Sequence, residues 1–149
     1  MLYLCPWIYL FFLGYTLYGV WYGKIAIMVG VTGVLSWNCR GLGNPRSVRA
    51  LHDMMRQWNP KVVFLIETKA KTRRMKRIKN RIGLANGLIV PCVGRKGGLA
   101  LLWNREIDLE IKSYSQNHID VVINDAEKSI KWRLTGFYGH PETHRRYES

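Results

Sequence analysis

The apolar positions of this chain change their rhythm several times. Residues 1–23 carry no charged side chain: 18 of the 23 are apolar, and the others are Pro6, Gly14, Thr16, Gly19 and Gly23. An unbroken stretch of this kind, apolar on every side, predicts a helix that no one-sided core could bury. Residues 25–37 are rich in Val and Ile, and their second half, Val31 to Trp37, reads as a strand buried on both faces. The turn NCRGLGNP follows. Asn44 caps a helix with Pro45 at its first position, and Val48, Leu51, Met55 and Trp58 recur at helical spacing. Asn59-Pro60 ends that helix. Val62 to Ile66 is too short an apolar run for a helix and reads as a second buried strand. Residues 69–82 return to helical spacing, with Met75, Ile78 and Ile82 as a narrow apolar stripe.

Beyond Gly83 the period drops to that of strands. GLIV (87–90), GGLALLW (97–103) and IDLEIKS (107–113) are candidates, as are the alternating sets Ile119, Val121, Ile123 and Ile130, Trp132, Leu134. The pair at 97–98 permits a close backbone approach. Asn124 to Glu127 makes a hairpin turn. Strand, helix, strand, helix and then antiparallel strands predict an α/β sheet domain with helices covering a sheet. A length of 149 residues leaves room for one such domain.

Charge changes the picture. Lys and Arg number 23 against 10 Asp and Glu, a net +13 with a pI near 10.0. A folded domain with that excess is suited to a polyanion, either nucleic acid or an anionic membrane face. All of the charge lies after residue 23. Two readings of residues 1–23 stand side by side: a membrane-spanning helix with the basic domain on the cytoplasmic face, or a spurious upstream extension, which leaves a nuclear or cytoplasmic protein. Cys5, Cys39 and Cys92 form no CxxC pair and no disulfide framework, so no disulfide-linked partner is expected.

Candidate chemistry gathers at strand ends. Asn38 directly follows VLSW, and Glu67 directly follows KVVFLI. Parallel strands joined by a helix bring such positions to one sheet edge, where open α/β sheets bind ligands. A carboxylate there suits a hard cation such as Mg²⁺, although an acid at a strand end is commonly only a solvated terminus. Tyr138 and His140 close the last strand in LTGFYGHPE, and a tyrosine hydroxyl can bond a phosphate. From Lys69 to Arg81 there are eight Lys or Arg and no acid. Lys69, Lys71, Arg73, Arg74, Lys76 and Arg77, with Arg40 in the preceding turn, are candidates for phosphate contact; a solvated helix face is the alternative. His52, His118 and His144 have no partner spacing. GxGxxG after a strand, GxxxxGK[ST], HExxH and GxSxG are absent, which removes the common dinucleotide, P-loop, zinc-protease and α/β-hydrolase readings.

In order, LSWNCRGLGNPRSVRAL, FLIETK, GGLALLW and LTGFYGHPE resemble the endonuclease/exonuclease/phosphatase superfamily, which includes DNase I. The wording is most similar to the endonuclease region of plant LINE-type (non-LTR) retrotransposons. The resemblance spans residues 34–149 and divides them from an apolar segment, 1–33, that runs into the first strand. It implies a DNase I-like four-layer α/β sandwich, truncated here to its N-terminal half and preceded by an apolar helix. It implies Mg²⁺-dependent phosphodiester hydrolysis, with Glu67 as metal ligand, Asn38 beside it at the active site and metal, and Tyr138 at the phosphate. The sequence departs from the family at Tyr-Gly-His-Pro, where Tyr-x-Pro is commoner. It also lacks the later Gly-Asp-Phe-Asn and Ser-Asp-His segments. The resemblance therefore implies a half-site, inactive alone; the alternatives are a non-catalytic basic nucleic-acid-binding module and a membrane-anchored member of the superfamily such as a lipid or inositol phosphatase.

Overall fold

The computed structural model describes residues 8–11, 18–22, 25–29, 33–126 and 129–138. The elements run β1 (Ile8–Phe11), β2 (Tyr18–Tyr22), β3 (Ile25–Val29), β4 (Val34–Asn38), α1 (Pro45–Trp58), β5 (Val62–Ile66) and α2 (Thr72–Arg81), then β6 (Asn86–Val90), β7 (Leu99–Trp103), β8 (Asp108–Tyr114), β9 (His118–Asp125) and β10 (Ile130–Tyr138). The strands form a six-stranded sheet, β2-β3-β4-β5-β7-β6, and a four-stranded sheet, β1-β10-β9-β8.

The N-terminal helix expected over residues 1–23 is corrected at residues 8–11 and 18–22, which are strands; the rest of that segment lies outside the described residues. Ile8–Phe11 pairs antiparallel with β10 at the edge of one sheet, and Tyr18–Tyr22 pairs with β3 at the edge of the other. The segment is dense in aromatics and interrupted by glycine, a composition that favours strands and weakens helices. Sheet edges also offer unpaired backbone groups for it to bond. No helix among the described residues is long and apolar enough to cross a membrane.

β4 and β5 are parallel, with Asn38 beside Ile66, and α1 is the crossover between them. Asn44 caps α1 by accepting from the Arg46 N–H at 2.9 Å, and Pro45 fills the first turn, where its missing N–H costs nothing. Asn59 ends the helix in the left-handed conformation and returns its N–H to Met55. α1 buries Val48, Leu51 and Met54. Met55 and Trp58, expected to face the core, are only partly buried beside them.

Period-two alternation sorts the sheet residues between two cores. Val62, Phe64 and Ile66 of β5 face the second sheet, where they meet Ile119, Val121 and Ile123 of β9 and Trp132 and Leu134 of β10. Val63 and Leu65 face the helices, with Leu35 and Trp37 of β4. The layers are helices, six-stranded sheet and four-stranded sheet, as a truncated four-layer sandwich requires. Among the described residues no helix covers the outer face of the four-stranded sheet.

α2 begins at Thr72, later than the sequence pattern suggests, because residues 67–71 form a loop whose backbone turns left-handed at Glu67 and Lys69. Its cations repel one another, and like-charged pairs four residues apart cost a few tenths of a kcal/mol each. Met75, Ile78 and Ile82 are buried against the sheet. Each such burial contributes about 1.5–3 kcal/mol, so packing outweighs the repulsion.

Candidate functional site

The parallel ends of β4 and β5 carry Asn38 and Glu67, and the loops beyond them are stitched to a third. The Cys39 N–H donates to the Ile66 carbonyl at 3.0 Å, and the Leu42 N–H to the Thr68 carbonyl at 2.8 Å. On the other side the Thr68 N–H donates to Gly98 at 3.0 Å and the Lys69 N–H to Gly97 at 2.9 Å. Glu67 and Lys69 are held at φ of 54° and 48°, left-handed values that side chains other than glycine seldom adopt. Such backbone persists only where its surroundings fix it, and here the three-loop stitching does so. Gly98 is required at its place. Its φ is +92°, and a Cβ there would lie 2.4 Å from Thr68 Oγ1.

The second sheet supplies the third member. Along β10, Trp132 and Leu134 point into the space between the sheets, and alternation puts Gly136 and Tyr138 on the same side. A Cβ on Gly136 would lie 2.4 Å from two atoms of the Phe64 ring, so only glycine lets β10 approach β5 this closely. The strand is held at its end by the Tyr138 N–H, which donates to the Asn117 carbonyl at 2.7 Å.

The structure thus brings Asn38, Glu67 and Tyr138 together. Tyr138 Oη donates to Glu67 Oε1 at 2.8 Å, and Asn38 Nδ2 makes a longer contact with the same oxygen at 3.5 Å. Glu67 Oε2 lies 4.0 Å from Lys69 Nζ, and both side chains reach solvent, so that ion pair is a weak tie. Burial raises the Tyr138 hydroxyl above the ordinary tyrosine range, and the Glu67 carboxylate raises it further. The phenol is therefore a donor at neutral pH. Burial likewise pushes the neighbouring Cys39 thiol up to about 12. Cys39 Sγ donates to the Ile66 carbonyl at 3.1 Å, and both it and Cys92 are free thiols.

Asn38 is also tied to the turn that follows it. Its Oδ1 accepts from the Arg40 N–H at 3.2 Å, which turns its Nδ2 toward Glu67. Both neighbours require that orientation, one being a donor and the other an acceptor. The carboxylate fits the metal that the resemblance implies. Mg²⁺ commonly takes one or two carboxylate oxygens and keeps several waters. Oε1 is held by two donors, and Oε2 is turned to the half-exposed Lys69. Among the described residues no group of three or more His, Cys, Asp or Glu side chains gathers to hold an ion, at this edge or elsewhere, so Glu67 is the one such ligand at the site.

The basic tract divides. Arg40, Lys69, Lys71, Arg73, Lys76 and Arg77 are exposed and available to a polyanion. Arg74 is committed: its Nε donates to the Leu42 carbonyl at 2.7 Å and its Nη2 to that of Gly43 at 3.0 Å, tying α2 to the WNCRGLG turn. His118 lies between Ser113 and Ser115, at 3.0 and 2.7 Å, and stacks on Phe137. His140 and His144 lie outside the described residues. Gly136, Asn117 and the anchoring task of Arg74 were not visible in the sequence. Glycine within the strand run LTGFY was the one signal for the first.

A two-sheet sandwich, with helices against one sheet and an Asn–Glu–Tyr cluster at the ends of parallel strands, is the framework of a nuclease- or phosphatase-type protein. A family model, that of the Endonuclease/Exonuclease/phosphatase family, matches residues 35–149, and the chain belongs to that family. Its members generally depend on a divalent metal and commonly act on nucleic acid or other substrates. No curated protein matches the chain.

Proposed function

We propose that residues 34–149 are the glutamate-bearing N-terminal half of a Mg²⁺-dependent endonuclease of plant LINE-type ancestry, in a nuclear or cytoplasmic protein. The observation that carries this is the convergence on Glu67: Tyr138 reaches it from one sheet and Asn38 from the other. Glu67 is the residue to hold the ion through Oε2. The ion, when bound, polarises a phosphate and stabilises the leaving oxygen. Tyr138 and Asn38 fix the carboxylate through Oε1 and stand where a phosphate oxygen would arrive. The exposed cations of residues 69–77, with Arg40, hold the nucleic-acid backbone without reading its sequence.

A full site also needs a placed nucleophile and an acid/base group, and members of a catalytic unit act together. The 149 residues supply neither the Asp-Asn pair nor the histidine that the family uses. The purified chain is therefore expected to leave supercoiled plasmid un-nicked in Mg²⁺. It is expected to bind Mn²⁺ weakly, seen as loss of the free-ion electron paramagnetic resonance signal, and Glu67→Gln to abolish that binding. Equal Mn²⁺ uptake by the two proteins would remove Glu67 from the metal site.

A further inference from the structure

We propose that the groove between α1 and α2 is a second phosphate-binding site, one that takes the sugar-phosphate backbone of a nucleic acid strand away from the Glu67 edge. The proposal rests on the nucleic-acid reading above and adds a location to it. The groove has a volume of about 350 Å³. Pro45, Arg49, His52 and Asp53 of α1 line one side, and Arg74 and Arg81 of α2 the other. Three arginines and one aspartate thus line the groove; Arg74 is already bonded to the Leu42 and Gly43 carbonyls, which leaves Arg49 and Arg81 for a ligand. Neither the Arg49 nor the Arg81 guanidinium has a hydrogen-bond or ion-pair partner among the described residues, and Asp53 pairs with neither. His52 Nε2 lies 3.2 Å from the Arg81 carbonyl, which joins the two walls.

Unpaired cations in a concavity repel one another unless an anion enters, and a low-dielectric wall strengthens their field. Arginine suits phosphate oxygens because its planar fork donates two parallel bonds. The shape favours a polymer over a free ion. The groove runs from Pro45 and Arg74, in the first turns of the two helices, to Arg81 at the end of α2, about 10 Å along its axis, which is more than one phosphate spans. Both helices start at the edge that carries Asn38 and Glu67, so the groove leads away from that edge. Arg73, Lys76 and Arg77 continue the positive strip on the exposed face of α2.

The test is fluorescence anisotropy of a labelled 12-nucleotide DNA across a salt series. It compares the full chain, Arg49→Glu/Arg81→Glu, and a control, Arg105→Glu/Lys131→Glu, with the same net charge at exposed sites outside the groove. The groove variant is expected to bind about tenfold more weakly at low salt, with a salt slope smaller by about 2, while the control stays near wild type. Arg49→Gln/Arg81→Gln, which removes charge without reversing it, is expected to lower the slope in the same direction. Circular dichroism checks that each variant folds. Equal losses in groove variant and control would show a general field and overturn the site, as would unchanged binding by the groove variant. A wild-type chain that binds no DNA would overturn the nucleic-acid reading itself.

Discussion

Gly136 of β10 lies so close to the ring of Phe64 on β5 that a single added methyl would sit 2.4 Å from it. This contact, between opposite sheets, sets the spacing at which Tyr138 reaches Glu67. Phe64 is 1% exposed and the strands on either side are fixed by pairing, so the ring has nowhere to move. Gly136→Ala is expected to destabilise the fold by about 1–3 kcal/mol, as overpacking does. Thermal melts check it. Phe64→Leu in the same chain should recover part of the loss, a non-additivity that a local β10 effect would not show.

Removing the Tyr138 hydroxyl tests the other end of that strand. Tyr138→Phe leaves Glu67 Oε1 with only the long Asn38 contact and is expected to cost about 1 kcal/mol at neutral pH. The folded-state value of Tyr138 is raised, so the folded chain keeps this proton where the unfolded chain loses it. Its contribution is then fully present below the unfolded value of about 10 and declines as pH rises above that. Urea midpoints at pH 8 and pH 10.5 should show the gap between wild type and Tyr138→Phe closing. A gap that widens with pH would contradict the assignment.

The loop that carries Glu67 depends on Gly98. In Gly98→Ala the methyl meets Thr68 Oγ1 and the backbone sits at φ +92°, so both space and conformation oppose it. We expect a loss above 1 kcal/mol and weaker Mn²⁺ binding together, because the Thr68 N–H bond to Gly98 fixes the Glu67 loop. Gly94→Ala, also at positive φ but with open space around it, should lower stability without touching metal uptake.

Arg74 separates an anchoring cation from its binding neighbours. Arg74→Lys cannot reproduce two guanidinium bonds to the carbonyls of Leu42 and Gly43, and it keeps the charge. It should lower the melting temperature and leave the salt slope of DNA binding unchanged. Arg73→Ala is expected to do the reverse.

Thiol accessibility gives a simple check of burial at the site. Cys39 is buried, its thiol is pushed up to about 12, and its Sγ is bonded to the Ile66 carbonyl. At pH 7.5 an aromatic disulfide reagent should modify the partly exposed Cys92 rapidly and Cys39 only on unfolding, read by mass spectrometry of the peptides.

Local pattern determined a good deal of this protein. The parallel β4–α1–β5 unit was legible because capping, proline and alternation act within a few residues of one another. Asn38 and Glu67 were legible because chain order alone puts both at the ends of those strands. The alternating runs that became β8, β9 and β10 were legible for the same reason. Pattern failed at residues 8–11 and 18–22, where an uncharged sequence satisfies a helix or a strand equally well until sheet edges offer it partners. It failed to separate Arg74 from Arg73, since both are arginines on one helix and only the neighbouring turn distinguishes them. Tertiary structure alone decided that Gly136 meets Phe64 and that Tyr138 touches Glu67. Those pairs lie 72 and 71 residues apart and join different sheets, and the distance between two sheets is set by the side chains packed between them, which no local signal along the chain encodes.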